Sequence, residues 1–484
     1  MSSLWLPRAR ARRGLRPTAP ASAPAAGVFS DGYDTYGLEG NEAFSPASPT
    51  LKDGTAIAGD MLTYHSAYTY WRDNQQSASL EWNLASSSVL GSTNAYDAAR
   101  RGQPIQTAIM QSFRMTGDLR DLDALCAGFD ALQANLTTAW SDFVLGGLVA
   151  SLCDGASGPN YPYSPYLKLN QSYDANGNDL DRLNQMKLWQ LVAEFTWALH
   201  LNQDKTSPGG VNYGTRLTYW KARLLDFVKT WSETSNECWA VNNYKGVDAG
   251  STSGISNVTA YRERQTWGLY PFAMRNESHA GLNSLLLHHY LGLLGQHASL
   301  GIANPADATI AADEMAAAAR TNGYRACTNA DHGDSLVFPH NSPFTGGDAT
   351  PQGSTYMGYQ GAALVSMWMV GRWRTEFPTS DMLKLGSAFA WAHDGTTGQM
   401  YSRVNRGVEG CGLNADDTGP GATATDNSLK GQAVLPIVFD PGGSKMASIA
   451  SALMTLSGGS TADRAAIPSA LFLRKALEAI GDVS

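Results

Sequence analysis

The chain has 484 residues, of which 43% are hydrophobic and 16% charged, with 35 basic against 43 acidic side chains. This balance excludes a disordered or collagen-like chain, and a net charge of −8 supplies no general basic field for nucleic-acid phosphates. The 13 Trp and 20 Tyr present flat faces with polar edges, which suit sugar rings as well as a core.

In chain order, residues 1–45 are rich in Arg, Ala, Pro and Ser without periodicity and read as a flexible basic arm. The arm lacks the apolar run of about 7 to 15 residues that a secretory signal carries. Localisation and the route of any export are therefore open. No stretch approaches the roughly 18 apolar residues of a membrane span, so no membrane partner is expected. Cys126, Cys153, Cys238, Cys327 and Cys411 are dispersed, with no CxxC pair and no zinc spacing. They read as mostly reduced thiols.

Residues 46–484 read as one domain built from helical hairpins. Apolar residues at i, i+3, i+4 and i+7 mark an early helix over Asp60–Arg72 and then five pairs. These are Ile105–Thr116 with Leu119–Asn135, Asn184–Asn202 with Thr215–Thr230, His279–Gln296 with Pro305–Thr321, Tyr356–Phe377 with Ser380–His393, and Lys445–Leu456 with Ala462–Ala479. Strand signals are few. The pairs recur at about twice the period of roughly 20 to 50 residues typical of solenoids. Hairpins with one apolar and one amphipathic helix bury themselves by forming a ring or arc, which predicts an all-α fold with the apolar first helices inside and long irregular loops between pairs.

This arrangement, with the Thr116-Gly117-Asp118 turn, resembles the (α/α) toroid or incomplete toroid of polysaccharide lyases. The stretch Arg275-Asn276-Glu277-Ser278-His279, followed by Gly281-Leu282-Asn283, is similar to the Asn-His motif before an inner helix in uronate lyases of the heparinase and alginate lyase type. It departs from that motif in having Ser278 directly before His279. The resemblance implies β-elimination on an acidic uronate polymer of the alginate or glucuronan type. That reaction requires neutralising a carboxylate, removing the C5 proton and protonating the departing O4. His279 is then the base, Arg275 and Asn276 the neutralisers, and Tyr356 or Tyr359 the acid.

Other residues extend this set toward substrate binding. Arg262, Arg264 and Trp267 lie in an Arg-rich aromatic stretch suited to a carboxylated sugar. His332 and His340 fall in a long segment from Asp331 to Tyr359 that reads as a loop without regular structure. Tyr64 and Trp82, and Tyr163 in a proline-rigidified loop, are candidate stacking platforms, with core packing the competing reading for Tyr64. No metal site of established spacing, no GxGxxG, no P-loop, no HExxH and no GxSxG occurs, so no cofactor is expected. The partner expected is an anionic polysaccharide. Two other functions remain open: a glycoside hydrolase using Glu277 with Asp331 or Asp334, and a non-catalytic glycan-binding or virion component tethered by the arm.

Overall fold

The structure, a computed structural model, describes residues 36–74, 84–92, 95–136, 181–225, 278–296, 325–329, 333–337, 354–394, 399–400, 438–440 and 461–483, with isolated positions between 313 and 320. The described chain is predominantly helical. In order it forms α1 (Gly59–Asn74), α2 (Ala95–Thr116), α3 (Leu119–Asn135), α4 (Asp181–Asn202), α5 (213–225) and α6 (Ser278–Leu293). These are followed by the hairpin β1 (Arg325–Asn329) and β2 (Gly333–Val337), then α7 (Ser354–Val370) and α8 (Thr379–Ala392). A minimal hairpin, β3 (His393–Asp394) and β4 (Gln399–Met400), precedes α9 (Thr461–Ala479).

Five of these helices pack side by side in the order α9, α2, α4, α6, α7. Their cross-contacts show that they run in one direction. Toward the N-terminal halves, Gln103 of α2 bonds Asn283 of α6 at 3.3 Å. Toward the C-terminal ends, Arg114 of α2 reaches Glu194 of α4 at 3.3 Å and Tyr290 of α6 at 2.9 Å. His289 of α6 lies 5.7 Å from Trp373, just beyond the end of α7. Asp482, just beyond α9, accepts from the hydroxyl of Tyr36.

Tyr36 is the point at which these ends meet. Its carbonyl accepts from Arg114 at 2.9 Å, its ring stands 5.9 Å from Trp368 of α7, and it is fully buried. The following residues extend the contact: Gly40 N–H donates to Asn202 at the end of α4 at 2.6 Å, and Asn41 N–H donates to the Gly117 carbonyl at 2.7 Å. The segment 36–41 therefore crosses the C-terminal ends of the array. Part of the stretch that reads as a flexible arm is thus integral to the fold, because its backbone polar groups find partners at helix ends that need them.

Helices α2 and α4 each have two unlike long faces. On α2, Ile105, Ile109 and Phe113 are buried on the side of α3, while Arg100, Gln103, Thr107, Gln111 and Arg114 recur at i+3 or i+4 on the other. Lys187, Gln190 and Glu194 repeat the pattern on α4, whose Phe195 stacks on Phe129 of α3 at 4.0 Å with Trp220 of α5 edge-on at 5.5 Å from Phe129. Because Arg114 joins Glu194 and Tyr290, the polar stripes of α2 and α4 converge between the helices. Helices α6 and α7 are buried and apolar nearly all round, as their composition suggests, whereas α2 and α4 carry polar stripes between the helices and α4 turns Phe195 onto α3 and α5.

Three further expectations change. Helix α9, read as the outer member of the last pair, is buried nearly all round from Ala466 to Leu477 and packs beside α2, with Ser469 donating to the Ala108 carbonyl at 2.7 Å. Helix α7 stops at Val370 rather than Phe377, because Gly371 takes φ 88 and turns the chain. The supposed structureless stretch from Asp331 holds strand β2, paired antiparallel with β1 from Arg325↔Val337 to Asn329↔Gly333. The helix expected over Lys445–Leu456 lies outside the described residues, as does most of Pro305–Thr321.

The expected turn between α2 and α3 is present and unusually well supported. Gly117 sits at φ 69, where an added Cβ would stand 2.8 Å from the Asn41 nitrogen. Asp118 caps α3, accepting from Arg120 N–H at 3.1 Å, and is bridged by Arg72 of α1 at 2.8 Å. Arg72 also binds Asp121 at 2.6 Å, and Tyr68 donates to the same carboxylate oxygen at 2.8 Å. Burial drives the Asp121 carboxyl upward against the pull of Arg72, whereas Arg120 and Arg72 together hold Asp118 down despite its burial. His65, packed 4.9 Å from Phe472 of α9, is lowered to about 4 by burial first and by Arg72 second.

Two outcomes follow for stability. Gly117→Ala should cost more than about 1 kcal/mol in urea denaturation, from a left-handed backbone no longer tolerated and the collision with Asn41; an unchanged midpoint would refute the strained turn. His65 is neutral in the folded protein down to about pH 4, whereas the unfolded ring takes its proton near 6.5. Stability is therefore lost as pH falls from 6.5 toward 4, on the order of 3 kcal/mol from this group. His65→Phe should shrink the difference in unfolding free energy between pH 7 and pH 4 by a comparable amount, read from denaturation curves at the two pH values.

Candidate active site

The parallel array gives its two ends opposite character. Every helix dipole points its negative end toward Tyr36 and its positive end away. At the Tyr36 end the carbonyls meet cations: Lys52 bonds the Gly37 carbonyl at 2.5 Å, Lys205 bonds the Gly40 carbonyl at 2.5 Å, and Arg374 lies 3.9 Å from the centre of the Trp368 ring. The N-terminal ends of α2, α4, α6, α7 and α9 gather on the opposite side, and that end is the candidate site.

Just inside it lies a buried polar layer. Lys187 of α4 is fully buried, and its ammonium is pushed well below the ordinary lysine range by burial and then by the charge of Arg100 on α2. Arg100 is partly exposed, so the layer has an edge toward solvent. Gln103, one turn along from Arg100, donates through Nε2 to Oδ1 of the buried Asn283, while its own Oε1 has no hydrogen-bond partner. Gln360 of α7 is buried as well. Deeper along α2, Gln106 donates to the Leu191 carbonyl at 2.8 Å, and neither amide atom of Gln111 is bonded. A buried unbonded amide costs about 1 to 3 kcal/mol, a cost that a polar molecule held there would remove.

The floor of the layer is the Arg114 triad. Arg114 donates to Glu194 and to the Tyr290 oxygen, and Tyr290 donates to Glu194 at 3.1 Å. All three side chains are buried. Tyr290 thus packs and braces rather than facing solvent.

The expected catalytic residues can be located by backbone position. His279 is in the first turn of α6, four residues before Asn283. Tyr356 and Tyr359 are in the first turns of α7, with Tyr356 four residues before Gln360. Since α6 and α7 pack as parallel neighbours, these three positions share the N-terminal end, one turn beyond the polar layer. Arg275, Asn276, Arg262, Arg264, Trp267, His332, His340, Trp82 and Tyr163 lie outside the described residues. Tyr64 is partly buried against the core on α1, beside the buried Tyr68 and Trp71. Asp334, a candidate hydrolase carboxylate, is exposed on β2 and 3.8 Å from Lys384, while Glu277 and Asp331 lie outside the described residues.

Sequence reasoning passed over Arg100, Gln103, Lys187, Glu194 and Arg114. Their signal was available as charged and amide residues spaced at i+3 and i+4 inside otherwise apolar helices, a pattern easily taken for an exposed face. Cys126 is buried and its thiol is pushed up by burial, which makes it unreactive. Among the described residues no group of His, Cys, Asp and Glu could hold a metal ion, and no helix is long and apolar enough to cross a membrane. Comparison with protein-family models, with curated proteins and with solved structures finds no match to this chain.

The triad predicts a coupled response. Arg114→Met withdraws the countercharge from a buried carboxylate and should cost about 3 to 5 kcal/mol. Arg114→Met with Glu194→Met should cost less than Arg114→Met alone, as measured by thermal or urea unfolding; additive losses would show that the two side chains are not coupled.

Proposed function

We propose that this protein is a polysaccharide lyase on an incomplete (α/α) toroid, cleaving an acidic uronate polymer of the alginate or glucuronan type by β-elimination. The five parallel helices form its inner ring, with α3, α5 and α8 among the outer partners. The observation that carries the reading is the common location of His279, Tyr356 and Tyr359 at the N-terminal ends of two adjacent parallel helices. That end has the positive helix dipoles that an anionic substrate requires, with the partly exposed Arg100 beside it.

The chemistry assigns a role to each group. His279 withdraws the C5 proton, and the pair of electrons left behind forms the C4–C5 double bond as the O4 linkage breaks. Tyr356 or Tyr359 protonates the departing oxygen. Arg275 and Asn276 spread the negative charge that develops on the carboxylate, which is what makes a weakly acidic C5 proton removable. Arg262, Arg264 and Trp267 hold flanking sugars of the anionic chain.

Incubating the full-length protein with a panel of uronate polymers should produce ultraviolet absorbance from unsaturated chain ends. Reducing sugar released without that absorbance would replace the lyase with a hydrolase, and no turnover on any polymer would leave a binding protein. His279→Ala should lower the rate at least about a hundredfold, the usual contribution of a positioned base. A mild effect would remove His279 from the mechanism.

A further inference from the structure

Gln103 of α2 is 2% exposed, and its Nε2 is committed to Oδ1 of the buried Asn283 on α6. Its Oε1 is a buried acceptor with no donor among the described side chains. Oxygen and nitrogen of an amide sit on one carbon, so Oε1 lies beside the same stretch of α6 as the bond to Asn283. His279 and Asn283 are four residues apart on that helix and so are neighbours on one face, with about 5 to 6 Å between Cβ atoms at such a spacing. Helical side chains lean back toward the N-terminus, which brings the Asn283 amide, and Gln103 with it, toward the turn that carries His279.

A histidine that removes a proton must offer a lone pair on one ring nitrogen and keep N–H on the other, and an acceptor at the second nitrogen decides which is which. Resting on the lyase reading, we infer that Gln103 is the positioning residue of the base: its Oε1 accepts from an imidazole N–H of His279, fixing the tautomer and leaving the other nitrogen to meet the C5 proton. Asn283 holds the Gln103 amide through its nitrogen, so the oxygen is the end left for the ring. A neutral amide orients the imidazole without setting a charge beside it, and the contact removes the cost of an unmet buried acceptor. When His279 takes the C5 proton, both ring nitrogens carry hydrogen and the bond to Gln103 is kept. No proton passes to the amide.

Heteronuclear NMR of the full-length protein, isotope-labelled in histidine, tests the inference, the His279 signals being those lost in His279→Gln. With the ring neutral, the parent should show a single tautomer. Gln103→Met keeps the length of the side chain and removes the acceptor. It should give a mixture of tautomers and lower kcat on a uronate polymer roughly tenfold or more, with KM little changed. Gln103→Glu loses the donor to Asn283 but keeps an acceptor, so it should recover the single tautomer and much of the lost kcat; a loss caused only by disturbed packing of α6 would not be recovered in this way. The inference is overturned if the parent ring is a mixture of tautomers, if Gln103→Met leaves the single tautomer in place, or if Gln103→Glu folds yet behaves as Gln103→Met. The two readings fail separately. Absence of lyase products on every polymer, with a single tautomer that Gln103→Met abolishes, removes the reaction and keeps the contact, whereas lyase activity whose kcat is unmoved by Gln103→Met keeps the reaction and removes the contact.

Discussion

The architecture depends on how the negative ends of parallel helices are satisfied where they converge. Side by side and in one direction, helix dipoles repel, and the last carbonyls of each helix lack partners. The segment 36–41 meets those ends, with Asn41 N–H donating to the Gly117 carbonyl, Gly40 N–H to the Asn202 side chain and the Tyr36 hydroxyl to Asp482. Arg114, Lys52, Lys205 and Arg374 bring positive charge to the same place. Arg114 is central among them, since one guanidinium links Tyr36, Glu194 and Tyr290 and so joins α2, α4 and α6 to the crossing segment.

Anchoring one end fixes the character of the other. With the C-terminal ends closed by charge and hydrogen bonds, the N-terminal ends share a positive potential that nothing in the dipoles themselves offsets. The stripes of Arg100, Gln103 and Lys187 place polar groups just inside that end, where low dielectric strengthens any interaction with an anion. Between α3, α4 and α5, the aromatic stack of Phe129, Phe195 and Trp220 supplies ordinary apolar burial. The facing sides of α2 and α4 can therefore be polar without loss of cohesion.

A second buried network holds the rim. Arg72 ties α1 to the turn between α2 and α3 through Asp118 and Asp121, and His65 wedges against α9. The same charges that secure the turn make it sensitive to pH in opposite senses. Asp118, held low, and His65, held low, both lose stability in acid, while Asp121, raised by burial, is relieved by it.

The sequence by itself determined the helices and the turn. Periodicity located α2 and α3 on either side of Gly117, placed α4 within a few residues of its observed start, and found the first turns of α6 and α7 where His279 and Tyr356 stand. These features are local, set by side-chain spacing and by a glycine that only a left-handed turn requires. Only the tertiary structure decided that α9 joins the array, that Tyr36 belongs to the fold, and that the polar stripes of α2 and α4 face inward. A stripe of Arg, Gln and Lys looks the same in sequence whether it meets water or another helix. The choice is made by partners such as Tyr290 and Asn283, which lie 176 and 180 residues away from the side chains they bind.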